Sequence, residues 1–273
     1  MEYQVKDEEI ETLLADMLDR YGYDFSEYAP ASLKRRINRL FTMHHFASIA
    51  EFRLRLYKDP EFVNHFIEEI TVNVTEMFRD PGFFKALKTE VFPILATYPF
   101  IRIWHAGCST GEEVYSLAIM LKEANLLHKS LLYATDLSAQ VLEQAAQGIF
   151  PLSAMKDYSE NYIAAGGERE FSSYYVAKYD RVIFSESLSS KMVFSTHNLV
   201  SDGSFNEFQL ILCRNVMIYF NKSLQDKVLR LFDESLHPLG FLALGNKETL
   251  RFSSIESRYK QFYNREKIWR KKS

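Results

Sequence analysis

Residues 101–119, IRIWHAGCSTGEEVYSLAI, join a short apolar strand to a helix through Gly107, Cys108, Ser109, Thr110 and Gly111. Glycines let the backbone approach a bound molecule, and a helix start offers unpaired N–H groups at the carboxyl end of a strand. The stretch therefore reads as a nucleotide-type cofactor site, with a plain strand-to-helix turn as the simpler alternative. Asp136 ends the next strand, 25 positions beyond Gly111, where open α/β folds set a carboxylate against ribose hydroxyls. It would equally serve to cap the helix over residues 139–146. Gly107 and Gly111 lack the G-x-G-x-x-G spacing of dinucleotide sites, which argues against NAD chemistry.

Other polar groups gather where a linker or a strand end needs none. Residues 70–84, ITVNVTEMFRDPGFF, interleave Asn73, Thr75, Glu76 and Arg79 with Val72, Val74, Met77 and Phe78. This is specific chemistry on a connecting segment, or else helix capping by Asn73 or Thr75. His197, Asn198 and Leu199 follow a strand at residues 192–196, while Arg214, Asn215 and then Tyr219 follow the apolar run FQLILCRN.

These groups must be positioned by two kinds of element. Helical periodicity over residues 8–21, 33–41, 48–57 and 60–70 predicts a small helical domain. From residue 101 the pattern alternates, with strands expected at 101–104, 131–138, 192–196, 208–215 and 241–246 and an antiparallel pair at 259–263 and 267–270. YYVAKYDRVIF suggests a hairpin inserted between the second and third main strands. The fold class is α/β: a class I, Rossmann-like methyltransferase sheet with a small antiparallel β-subdomain inserted, preceded by an all-α N-terminal domain. Polar residues collect at the strand tips on one sheet edge.

Composition narrows the class. A hydrophobic share of 47% with 22 Phe and 16 Tyr excludes a disordered chain, and a net charge of -3 gives no overall nucleic-acid signature. The best local basic cluster is LKRRINRL, where Lys34, Arg35, Arg36 and Arg39 form either a solvated helix face or a docking surface for an acidic partner helix. Cys108 and Cys213 are the only cysteines, and neither belongs to a disulfide framework or a metal-ligand spacing. With an acidic start and no run of about 18 apolar residues, the chain is expected to be cytoplasmic, without membrane insertion.

Four blocks together resemble the CheR-type chemotaxis receptor methyltransferases: TVNVTEMFRDP from Thr71, GCSTGEEVYSLA from Gly107, FSTHNLVSD from Phe194 and LCRNVMIYF from Leu212. Each is weak alone, but the resemblance spans nearly the whole chain. It implies a helical domain at residues 1–75, a connecting segment at 76–99 and a cofactor domain at 100–273, with the β-subdomain at about 171–187. The implied activity is transfer of a methyl group from S-adenosylmethionine to glutamate carboxylates on the cytoplasmic helices of methyl-accepting chemoreceptors, leaving S-adenosylhomocysteine. A monomer that binds neither nucleic acid nor metal is expected.

By the same resemblance Asn73, Thr75 and Arg79 would reach the cofactor from the connecting segment. Glu112 would bind its amino group, Asp136 the ribose, Asn198 and Leu199 the adenine region, and Arg214 and Asn215 the rest of the pocket. Arg79 would lie near the transferring methyl group, Tyr219 would face it, and Lys34, Arg35, Arg36 and Arg39 would dock the receptor. Adjacent helix residues point in different directions, so Glu113 competes with Glu112 for its role. Many relatives carry proline at the position of Val114, and His-Ser-Glu where this chain has Asn246, Lys247 and Glu248. The rival reading is a module that binds cofactor or a receptor helix without turnover.

Overall fold

The computed structural model describes residues 5–72 and 74–273; Asn73, expected at the cofactor, lies outside them. The chain forms two compact units. One holds the described residues up to 72 together with Met217–Val228, and the other holds Val74–Val216 and Leu229–Ser273.

The first unit is built on α1 (Asp7–Tyr21), α2 (Pro30–Met43), α3 (Ile49–Lys58) and α4 (Pro60–Thr71). Local signals set their ends. Asp7, Glu8 and Glu9 suit the positive start of α1, and Gly22 ends it at φ 75° with its N–H on the carbonyl of Leu18 and that of Tyr23 on the carbonyl of Met17. Ser48 caps α3, while Asp59 caps α4 ahead of Pro60. Leu13, Met17, Ile37, Leu40, Phe52 and Phe66 form the buried centre. The segment after Met217 joins this unit through main-chain bonds: Ala29 N–H donates to the Tyr219 carbonyl at 2.8 Å, and Asn221 N–H to that of Glu27 at 2.9 Å.

The second unit opens with α5 (Pro81–Ala86), a π-turn at Leu87–Val91 and α6 (Phe92–Leu95). Pro93 has no N–H to continue the ladder, which breaks the regular register. Then follow β1 (Ile101–Ala106), α7 (Glu112–Glu123), β2 (Ser130–Asp136), α8 (Ala139–Gln147), β3 (Ile149–Pro151), α9 (Met155–Ala164), β4 (Tyr175–Lys178), β5 (Arg181–Phe184), α10 (Glu186–Ser189) and β6 (Met192–Thr196). β7 (Phe208–Cys213), α11 (Lys222–Ser235), β8 (Leu236–Leu244), β9 (Tyr259–Tyr263) and β10 (Ile268–Lys271) complete the chain; α11 contributes residues to both units.

The main sheet runs β6-β2-β1-β7-β8-β10-β9. β1 pairs in parallel with both β2 and β7, and β10 is antiparallel to its neighbours β8 and β9. The order therefore reverses at β1, leaving a crevice beyond the carboxyl ends of β1 and β7, where open α/β sheets bind ligands. β7 is buried along its whole length, as its apolar run requires of a strand covered on both faces. The small antiparallel sheet, β3-β5-β4, contains the expected hairpin and also recruits Ile149–Pro151. Three residues carry too little period-2 signal to be read as a strand beforehand. No helix among the described residues is long and apolar enough to cross a membrane.

Candidate active site

The glycine turn after β1 is fixed by its neighbours on β2 and beyond. Gly107 and Cys108 N–H both donate to the Thr135 carbonyl, at 2.8 and 2.9 Å. Gly107 has φ 78°, and a Cβ there would stand 2.5 Å from Cγ2 of Val216, so both the backbone conformation and the packing demand glycine. Ser109 N–H reaches Oδ2 of Asp136 at 2.9 Å, and Ser138 N–H reaches Oδ1 at 3.2 Å. Asp136 thus ties the turn to the tip of β2. Burial raises its carboxyl above the usual range, against the pull of these N–H bonds. The cap of α8 is Ser138, whose hydroxyl accepts from Val141 N–H, so the capping role considered for Asp136 falls to its neighbour.

Glu112 and Glu113 begin α7 and point to different partners. Glu113 accepts from Nδ1 of His105 and from Nη1 of Arg214, both at 3.0 Å. Burial works to raise its carboxyl, but His105 and Arg214 outweigh that and hold it below the ordinary value. Glu112 is also buried, yet its printed partner is the Thr110 hydroxyl at 2.7 Å, and among the described residues no cation pairs with it. Burial raises this carboxyl, with Thr110 and its own backbone N–H pulling the other way. Ser109 Oγ is likewise buried and without a hydrogen-bond partner. An uncompensated buried carboxylate beside an unsatisfied hydroxyl fits a ligand carrying an ammonium group, which S-adenosylmethionine does.

Arg214, expected among the cofactor contacts, has both terminal nitrogens engaged by protein groups, while its Nε is buried without a partner. Nη2 donates to Asp80 Oδ2 at 2.7 Å and to the Arg79 carbonyl at 3.1 Å, while Nη1 takes Glu113. The plane lies 4.1 Å over the Phe83 ring, and the side chain is 3% exposed. Arg214 is therefore a bolt between the tip of β7, α7 and the connecting segment. That segment is strained: Phe78 and Asp80, on either side of Arg79, have φ 54° and 56°. Ser116 Oγ accepts from Phe78 N–H at 2.9 Å, and the Arg79 side chain turns back to the Val74 carbonyl at 3.1 Å.

A second fastening joins the tips of β7 and β8. The carboxylate of Glu248 accepts from the N–H groups of Gly245, Asn215 and Val216, at 2.6, 3.0 and 2.9 Å. Asn215 has φ 62°, and its contribution here is through the backbone. Glu248→Gln would set an amide NH2 against one of these N–H groups. We expect a cost of about 2 kcal/mol and a fall in Tm of about 4–8 °C, read by thermal denaturation. An unchanged Tm would show that the fastening is idle.

The strand tips thus bring together Glu112, Asp136, Asn198, Leu199, Arg214 and Asn215, with Arg79 and half-buried Thr75 on the segment bolted by Arg214. Asn198 Oδ1 accepts from Val200 N–H at 2.9 Å, shaping the loop after β6, where His197 N–H donates to the Asp136 carbonyl. Tyr219 belongs to the first unit, as do the four basic residues of α2. Among those, Arg36 corrects the sequence reading: it is 7% exposed and faces inward. Lys34 pairs with Asp7 at 2.7 Å and Arg39 approaches Glu69 at 3.8 Å, leaving Arg35 and Arg39 the most exposed. Sequence reasoning missed His105, Asp80 and Glu248 as site-forming residues. A histidine inside the apolar strand IRIWHA was the available signal, because a buried imidazole needs a partner.

A sheet that reverses beside a glycine turn, with an unpaired buried carboxylate at the following helix start, places the chain in the class of S-adenosylmethionine-dependent methyltransferases. The chain belongs to the CheR methyltransferase family: residues 73–267 match its SAM-binding domain and residues 8–71 its all-alpha domain. A Pseudomonas putida protein carrying the name methyltransferase Cher3 is 44% identical over 97% of each chain. The chemotaxis protein methyltransferase of Listeria monocytogenes is 32% identical over 84% of this chain and 85% of its own. That of Salmonella typhimurium is 35% identical over 70% of this chain and 64% of its own.

Proposed function

We propose that this methyltransferase esterifies glutamate side chains on the cytoplasmic helices of chemoreceptors, acting in the cytoplasm. The observation that carries the reading is the state of the histidines at the sheet edge. His105 is buried against Glu113, and His197 is buried with Nε2 on the Gly203 carbonyl. Both rings are buried with one nitrogen committed to a protein group, so neither is presented to solvent as a general base would be, which suits an acceptor that is already ionised near neutral pH.

When bound, S-adenosylmethionine supplies an electrophilic sulfonium methyl group. An ionised glutamate carboxylate needs no proton removed before it accepts that group, so no residue of the chain has to act as a base. The protein's task is alignment and exclusion of water. Glu112 would hold the amino group and Asp136 the ribose, with Thr75, Asn198, Leu199 and Asn215 lining the remainder. Arg79 would orient the acceptor carboxylate by charge-assisted hydrogen bonds. The role of Tyr219 as a wall or donor beside the methyl group rests on the block LCRNVMIYF.

Labelled S-adenosylmethionine incubated with receptor cytoplasmic domains should yield base-labile methyl esters that map to glutamates. Tight binding of S-adenosylhomocysteine with no transfer to any receptor domain would favour a non-catalytic binding module instead. For docking, the exposed cations Arg35 and Arg39, with Lys34 beside them, are the proposed contacts. Arg35→Glu with Arg39→Glu should raise the receptor KM about tenfold while leaving cofactor affinity unchanged; equal loss of both would remove the docking assignment.

A further inference from the structure

We propose that Arg36 is a positioning residue for Tyr219 and not a receptor contact; the proposal rests on the reading of Tyr219 as the residue that faces the transferring methyl group. The inward side of α2 carries the argument. Nη1 of Arg36 donates to the carbonyls of Glu69 and Ile70, at 3.0 and 3.1 Å. These belong to the last turn of α4, where carbonyls have no partner within the helix. Nε donates to Ser32 Oγ at 3.2 Å. The guanidinium carbon then lies 4.6 Å from the centroid of the Tyr219 ring, within the range of a cation–π contact.

The Tyr219 backbone is held independently. Its carbonyl accepts from Ala29 N–H, Asn221 N–H donates to the Glu27 carbonyl, and the next residue, Phe220, packs edge-on against Tyr28 with centroids 5.0 Å apart. Main-chain bonds therefore fix where the tyrosine starts, and Arg36 fixes where its ring lies. One planar group ties α2, the end of α4 and the Tyr219 ring together. Lysine keeps the charge and one nitrogen that can serve the carbonyls, but it has no second nitrogen for Ser32 and no plane to lay over the ring. A residue that only capped α4 would leave the ring uncovered, and a docking residue would face solvent, as Arg35 does.

The test is kinetic, with a structural readout beside it. Arg36→Lys should lower kcat about tenfold to a hundredfold, with receptor KM and S-adenosylhomocysteine affinity kept within about twofold. In a Tyr219→Leu background the same change should cost less than about threefold. Arg36→Gln, which loses the cation and the reach to the ring, should lose at least as much kcat as Arg36→Lys, and an unchanged thermal transition in Arg36→Lys guards against a variant that fails to fold. A raised receptor KM with intact kcat would restore the docking role and overturn the proposal, as would equal losses in both backgrounds. If Tyr219→Leu alone leaves transfer unchanged, it is the reading of Tyr219 that falls. The Tyr219 ring resonances, read by NMR, then decide for Arg36: shifted signals and faster ring flipping in Arg36→Lys sustain the positioning role, and an unchanged ring ends it, while the Ala29 and Asn221 amides, held by main-chain bonds, should exchange as in the parent.

Discussion

Replacing Glu112 by glutamine is expected to weaken S-adenosylhomocysteine binding by about 3 kcal/mol, on the order of a hundredfold, while making the cofactor-free protein more stable at neutral pH. Both effects follow from one buried carboxylate that has a hydroxyl and, among the described residues, no cation beside it. Its pKa is raised by burial. For a raised carboxyl the stability contribution is present below the unfolded-chain value and lost as pH rises through the folded value. At neutral pH the ionised group is therefore a burden on the empty protein, and the neutral amide removes it; each kcal/mol recovered raises Tm by roughly 2–4 °C.

Binding reverses the balance. With Glu112 in its proposed role, the ammonium group of the cofactor would lower the carboxyl's pKa in the complex, so between the two values the free protein would be protonated and the complex would not. Affinity should fall as pH drops through the free-state value, with up to one proton released on binding. Calorimetry in buffers of different ionisation enthalpy measures that proton. Glu112→Gln should abolish the release together with the pH dependence. If the variant binds as tightly as the parent, or if Glu113→Gln alone shows the loss, the ammonium site is not at Glu112.

How far the chain could be read in advance depends on whether a feature leaves a local signature. β1, the glycine turn and α7 do so, because apolar strand, small residues and helical period follow one another within 23 positions, Ile101 to Glu123. So do α1 to α4, each with a cap or a stop. β3 and α9 do not: IFP is too short for a period, and the buried Tyr158 and Tyr162 of α9 sit among polar residues that blur its apolar face. At the site, residue types were legible but directions were not. Glu112 and Glu113 are chemically identical in the sequence and are separated only by the helical turn of about 100° between neighbours. Arg36 and Arg39 look like one basic face, yet only the α4 carbonyls and the Tyr219 ring draw the first of them inward. Arg214 invited a ligand role because it follows a strand tip, whereas its carboxylate partners lie 134 and 101 positions away, beyond any local pattern.

That long-range bolt gives the other large expected effect. Arg214→Met should cost about 3 kcal/mol at neutral pH, because it leaves buried Glu113 with His105 alone and half-buried Asp80 without its cation. For a domain of this size the fall in Tm is about 6–12 °C. The pH dependence identifies the cause. Glu113 is held below its ordinary value by His105 and Arg214 acting against burial. The stability it contributes is present above the unfolded-chain value of about 4.3, and is lost as pH falls through the folded value. The Tm difference between the parent and Arg214→Met should therefore be full near neutrality and shrink in acid; a constant difference would mean that lost packing on Phe83 explains the defect. Arg214→Lys should recover part of the stability through its charge, but its ammonium cannot reach Glu113, Asp80 and the Arg79 carbonyl as a fork does. The strained turn at Phe78 and Asp80 would then relax, and Arg79 with it. Methyl transfer in Arg214→Lys should accordingly fall more than its stability does, a split that would be absent if the bolt only held the fold together.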